Sequence, residues 1–159
     1  HSFPTRRSSD LDARFKDKVV ILQIFGTWCP NCMDETKFLS QWYTKNKDRG
    51  VEILGLAYEA KDDFDYASGR VKKMKAKLSV PYEFVIAGNK DKEAAAKTLP
   101  MLNHVISFPT TIFIGKDGTV KRIHTGFSGP GTGIHYERFI QRFNQTMDEL
   151  LGENLASIK

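Results

Sequence analysis

Val19-Val20-Ile21-Leu22-Gln23-Ile24-Phe25-Gly26-Thr27-Trp28-Cys29-Pro30-Asn31-Cys32 decides how this chain of 159 residues folds. Val19 to Phe25 is an almost unbroken apolar run, the pattern of a strand covered on both faces. A helical pattern begins after Cys29, with Phe38, Leu39, Trp42 and Tyr43 on one face. It ends in Lys45, Lys47 and Arg49 followed by Gly50, a helix-stop combination. Cys29 thus falls at a strand-to-helix junction. Pro30 falls at or near the first helical position, where its missing N–H costs nothing and its fixed φ suits the turn. This placement aims unpaired backbone N–H groups and the positive end of the helix dipole at the Cys29 sulfur. They favour the thiolate, which is the reactive form of cysteine. Cys32 lies on the same face one turn later, placed to attack a mixed disulfide formed at Cys29 and release a reduced substrate.

Downstream, Val51 to Tyr58 is a second buried strand. Asp62 opens a helix whose apolar residues Phe64, Ala67, Val71, Met74 and Leu78 recur three and four apart, and Pro81 closes it. Tyr82 to Ile86 is a short strand, and the Ala- and Lys-rich stretch near Asp91 to Leu99 predicts a short helix. Thr110 to Ile114 and Thr119 to His124 flank Lys116-Asp117-Gly118, a hairpin signal. A final helix from about Ile134 to Leu151 carries an apolar stripe of Tyr136, Phe139, Phe143, Met147 and Leu150. The order β-α-β-α-β-α-β-β-α implies an α/β domain with parallel strands joined by crossover helices, completed by antiparallel strands from the late hairpin.

Hydrophobic residues make up 40% of the sequence and charged residues 27%, as in ordinary globular domains, and the length suits one of them. The net charge of +5 comes from Lys and Arg spread along the chain, without the dense basic run and interleaved aromatics of a nucleic-acid site. No apolar stretch has the length of a membrane span. The two cysteines sit in a single C-x-x-C, so no framework of structural disulfides exists. Residues 1–11, His1 to Leu11, resemble one translation frame of a sequencing-library adapter and are set aside, leaving 12–159 as a single domain. Any signal peptide or membrane anchor upstream of Asp12 would then be missing, so the lack of a targeting signal does not argue for the cytoplasm.

A C-x-x-C can also be half of a zinc site, but His1, His104, His124 and His135 show no paired spacing, so no metal site is expected. Redox chemistry fits the strand–C-x-x-C–helix order better than zinc or two buried small hydrophobes. Phe108-Pro109-Thr110-Thr111 is a second constellation. By itself Pro109 only marks the entry to a strand. Combined with the cysteine motif, it completes the layout of the thioredoxin superfamily, which implies a cis peptide bond at Pro109 facing the cysteine pair.

More narrowly, the sequence resembles the TlpA/ResA-like thiol–disulfide oxidoreductases from Val19 to Leu151. The stretch from Lys18 to Cys32 is similar to that family's active-site block. Phe108 to Gly118 is similar to its cis-proline block, and the helix and strand between about Asp62 and Ile86 match its characteristic insertion. The resemblance implies a thioredoxin-like fold, with a central mixed β-sheet flanked by helices. It implies protein-disulfide reduction by a monomer outside the cytoplasm, periplasmic or membrane-anchored. Protein disulfide or thiol substrates and an upstream reductant would be its partners, with no cofactor beyond the cysteines. It also matches Glu35 to an acidic residue that would tune the cysteines or relay a proton, although a Glu in a first helical turn is favoured by the dipole anyway.

The pattern is departed from at Gln23, where plain thioredoxin has a buried acid, at Lys37, where a proline is common, and at the Pro30-Asn31 dipeptide. Trp28, Pro30, Phe108 and Gly126 are expected to border the substrate surface, with the Phe108 backbone pairing to an extended peptide. Gly126 to Gly133 reads as a mobile loop without the ending of a phosphate loop, and Lys72, Lys73, Lys75 and Lys77 as a solvated helix face. A different chemistry, Cu(I) held by the two thiolates, is the alternative. A peroxidase reading is weakened by Gly26, where a peroxiredoxin has threonine.

Overall fold

The computed structural model describes residues 14–91 and 107–158, with side chains of the last helix described as far as Gly152. Five strands form one mixed sheet: β1 (Val19–Phe25), β2 (Val51–Glu59), β3 (Glu83–Asn89), β4 (Thr110–Ile114) and β5 (Val120–Thr125). They are accompanied by the helices α1 (Pro30–Asn46), α2 (Phe64–Leu78) and α3 (Ile134–Ile158). The sheet order is β3-β2-β1-β4-β5, with β1, β2 and β3 parallel and β4 and β5 antiparallel to their neighbours. This is the expected α/β architecture. The helix expected near Asp91 to Leu99 lies outside the described residues.

The apolar run of β1 occupies the centre of the sheet because neighbours cover both its edges and packing covers both its faces. Val19, Ile21 and Phe25 join α1, α2 and α3 in the larger core, while Ile24 packs with Tyr58 and Ile112 on the opposite face. On the helical side Phe38, Trp42, Phe139 and Phe143 interlock edge to face, the arrangement that aromatic quadrupoles favour. Gly55 belongs to this packing: a Cβ there would lie 2.2 Å from the Phe84 ring.

Several ends differ from the sequence pattern. The α2 helix starts at Phe64 because Asp63, not Asp62, caps it, its carboxylate accepting from the Tyr66 N–H at 3.0 Å. It stops at Leu78 because Ser79 turns left-handed (φ 52°), before Pro81 is reached. The α3 helix runs past Leu151 to Ile158. The glycine-rich stretch is an ordered turn rather than a loose loop: Pro130–Thr132 form a 3-10 turn, and Thr132 donates back to the Gly129 carbonyl through both its amide and its hydroxyl. Gly55→Ala should lower stability by about 1–3 kcal/mol through the displaced Phe84 ring, measurable by urea denaturation.

Candidate active site

Cys29 is the N-cap of α1, in extended backbone conformation (φ −104°, ψ 108°), and Pro30 opens the helix. The Cys29 sulfur accepts the Cys32 N–H at 3.2 Å, so it occupies the place where a capping Ser or Asp oxygen usually sits. The thiol of Cys29 also lies 3.9 Å from the Phe108 carbonyl, and the Phe108–Pro109 peptide bond is cis. Both cysteines are thiols. Cys29 retains a small exposed area (7%) while Cys32 has none, so attack from outside can reach only Cys29. Burial, then the Cys29 sulfur, push the Cys32 thiol far above the usual thiol range.

The turn that presents Cys29 is held from β2. Trp28 donates its indole N–H to the Tyr58 carbonyl at 2.8 Å, and the Thr27 amide donates to the Glu59 carboxylate at 2.8 Å. The Thr27 hydroxyl bonds the same carboxylate, and the Arg70 guanidinium reaches both Thr27 (2.8 Å) and Glu59 (3.5 Å). Glu59 is fully buried, yet its charge is answered by a backbone amide, a hydroxyl and a guanidinium. Sequence reading missed Thr27, Glu59 and Arg70; the only signal was an acid directly after the apolar stretch from Ile53 to Tyr58. Gly26 is fixed by the same turn, since a Cβ there would lie 2.1 Å from the Trp28 indole nitrogen.

The expected rim assembles around this turn. Trp28 and Phe108 are half-buried and meet edge to face at 5.3 Å, Pro30 is exposed, and Pro109 is buried. Gly126 (φ 81°) donates its N–H to the Pro109 carbonyl at 2.7 Å, which brings the last loop against the proline. Asn31 donates its side-chain amide to the Phe127 carbonyl at 2.8 Å, tying the start of α1 to that loop. Of the lysines, Lys73 and Lys77 are not merely a solvated face. With Lys37 and Arg70 they border a groove of about 370 Å³ between α1 and α2 that reaches Thr27 and Met33.

Glu35 sits in the second turn of α1, not the first, so the dipole does not account for it; it faces the sheet and is buried. Thr111 donates to its Oε2 at 3.1 Å, while its Oε1 has no hydrogen-bond partner among the described residues. Burial pushes the carboxyl up to about 8, against the opposite pull of Thr111 and the Gln23 amide. Gln23, in the place of the thioredoxin acid, is a structural link: it donates to Thr36 (2.9 Å) and accepts from the Tyr82 hydroxyl (2.8 Å). Thr36 in turn donates to the Cys32 carbonyl at 2.9 Å.

Residues 4–123 match the family model described as the AhpC/TSA family. The chain belongs to that family. The match begins inside the segment set aside from the fold, which lies outside the described residues. Within this family the chain is similar to curated ResA proteins. It is 36% identical over 106 residues to a thiol-disulfide oxidoreductase ResA of Bacillus thuringiensis subsp. konkukian, covering 67% of this chain and 54% of that protein. It therefore spans about half the length of that curated relative. Among solved structures it is similar to a thiol:disulfide interchange protein, a thioredoxin family protein from Chlorobium tepidum (TM-score 0.66, 20% identity, 89% of this chain and 85% of the other). It is also similar to a secreted Mycobacterium tuberculosis disulfide oxidoreductase (TM-score 0.53, 20% identity, 74% and 75% covered). These likenesses establish the thioredoxin fold for this AhpC/TSA family member.

A buried carboxyl that holds its proton until about pH 8, against an ordinary 4.5, gives stability a definite slope. Below 4.5 both folded and unfolded chains are protonated at Glu35; between the two values only the folded chain is, so stability falls as pH rises. Glu35→Gln should remove a slope of up to about 1.4 kcal/mol per pH unit across that window, seen in urea midpoints measured at pH 5 and pH 8.

Proposed function

We propose that this protein is a thiol–disulfide oxidoreductase that reduces protein disulfides through Cys29 and Cys32, with no cofactor beyond the pair. The observation that carries this reading is the Cys29 sulfur itself. It caps α1, accepts the Cys32 amide and faces the carbonyl before cis-Pro109. The ResA and disulfide-interchange relatives support it.

In the forward reaction the Cys29 thiolate attacks one sulfur of a substrate disulfide. A mixed disulfide forms and the first substrate thiolate leaves. Cys32 then loses its proton and attacks the Cys29 sulfur, expelling the second substrate thiolate and leaving a Cys29–Cys32 disulfide. Two electrons have passed to the substrate, and an upstream dithiol returns them. Cys32 is buried and strongly disposed to stay protonated, so its activation is the demanding step. Glu35 serves it: once its own proton, held up to about pH 8, has left to solvent, it accepts the Cys32 proton at Oε1, which has no hydrogen-bond partner among the described residues, while Thr111 holds the other oxygen.

Trp28, Pro30, Phe108 and Gly126 border the peptide carrying the disulfide, and the Phe108 carbonyl is available to an extended substrate backbone. The protein acts as a monomer outside the cytoplasm, in the periplasm or at a membrane. The secreted mycobacterial relative supports that location.

Cys32→Ser should accumulate a mixed disulfide through Cys29 with a substrate protein, visible as a thiol-sensitive adduct by mass spectrometry, and Cys29→Ser should form none. An adduct on Cys32 in the Cys29→Ser protein, with turnover retained, would reverse the roles. Glu35→Gln should slow resolution of the adduct by about 10²-fold or more while leaving its formation unchanged, measured by stopped-flow thiol exchange.

A further inference from the structure

The face of the sheet edge away from α2 carries a second concentration of charge. A cleft of about 140 Å³ lies between β5 and α3, bordered by Arg122 and His124 from the strand and by His135, Arg138 and Arg142 from the helix. No Asp or Glu lines it among the described residues, and none of the three arginines is in an ion pair there. Cations that converge without a carboxylate repel one another, so their arrangement needs a different account from that of an edge strand guarded by scattered charges. On such a strand the charges point apart into water; here both elements turn theirs into one cleft.

The groups are also partly held in place. Arg122 donates one amino group to the Thr146 hydroxyl at 3.1 Å, leaving the rest of its fork free. The His124 ring packs against Phe139 with centroids 5.4 Å apart. Burial, then Arg122 and Arg142, hold His124 below the usual imidazole range, so an anion entering the cleft meets an imidazole whose neighbours it neutralises. Ser128 adds a hydroxyl to the lining, and the apolar side of the cleft is aromatic. Guanidinium groups match the oxygens of a phosphoryl group in pairs, which a compact halide cannot use.

We propose that the cleft between β5 and α3 binds the phosphoryl group of a small phosphate compound, gripped by Arg122, Arg138 and Arg142 beside His124. This site is separate from the cysteine pair and does not rest on the redox reading. It is tested on the full chain with histidine side-chain NMR, titrating phenyl phosphate, inorganic phosphate or chloride at constant ionic strength. Saturable movement of the His124 signal with phenyl phosphate but not with chloride is expected. The double variant R138Q/R142Q should bind about tenfold or more weakly, with an unchanged thermal transition showing that it is folded.

Inorganic phosphate binding as tightly as phenyl phosphate assigns the site to the free ion; weaker binding assigns it to an ester whose organic part uses the aromatic wall. Equal shifts with chloride, or a double variant that binds like the parent, overturn the proposal. So does sedimentation with phosphatidic acid vesicles without any response to phenyl phosphate, because the basic surface as a whole would then be the attractor.

Discussion

One hydrogen bond organises the centre of this molecule: the Cys32 amide donating to the Cys29 sulfur. A helix must satisfy the amides of its first turn, and here one of the atoms that does so is the sulfur proposed as the nucleophile. The cap fixes the sulfur at the end of α1, while β1, buried on both faces, fixes where α1 begins. Everything nearby serves to keep the short connection between them in one shape. Trp28 is pinned to the Tyr58 carbonyl, Thr27 to Glu59, and Asn31 to the Phe127 carbonyl. The loop is thereby tied to β2 on one side and to the segment before α3 on the other. Gly26 is the concession this demands, because the indole lies where a Cβ would be.

The two cysteines differ because the same helix gives them different surroundings. Cys29 ends at the surface opposite cis-Pro109, and Cys32 turns inward toward Glu35 and the sheet. A buried thiol and a buried carboxyl close together both resist ionisation, since neither has water to solvate the charge. The charge of either one makes ionising the other harder still. Gln23 keeps this region polar but uncharged, spanning Tyr82 and Thr36 as an amide can and a carboxylate could not.

Charge is arranged in a comparable way outside the site. Lys37, Arg70, Lys73 and Lys77 gather beside the active-site turn, and Arg122, Arg138 and Arg142 gather across the sheet. A net charge of +5 spread along the sequence gives no hint of either grouping. Both arise because neighbouring elements bring residues far apart in sequence to one surface. Of the lysines on α2, only those on the side facing α1 belong to the groove.

What the sequence by itself determined was whatever depends on near neighbours. The continuous apolar run of β1, the Pro30 helix start, the Gly50 stop (φ 85°) and the Lys116-Asp117-Gly118 turn are local, and so is the strand Thr110–Ile114, whose ends were legible. Glu35 was visible as a residue but not as a buried one, since its burial depends on β4 lying beneath α1. The Glu59–Thr27–Arg70 clamp, the Asn31 tie and the arginine cleft were not legible at all. Each joins residues between 24 and 96 positions apart where a pair is hydrogen-bonded (Arg122 to Thr146, Asn31 to Phe127). Contacts of that reach exist only once the sheet order β3-β2-β1-β4-β5 has brought the strand ends together. Local spacing records propensity and facing; it carries no information on which distant polar group will meet a given side chain, and tertiary packing alone decides that.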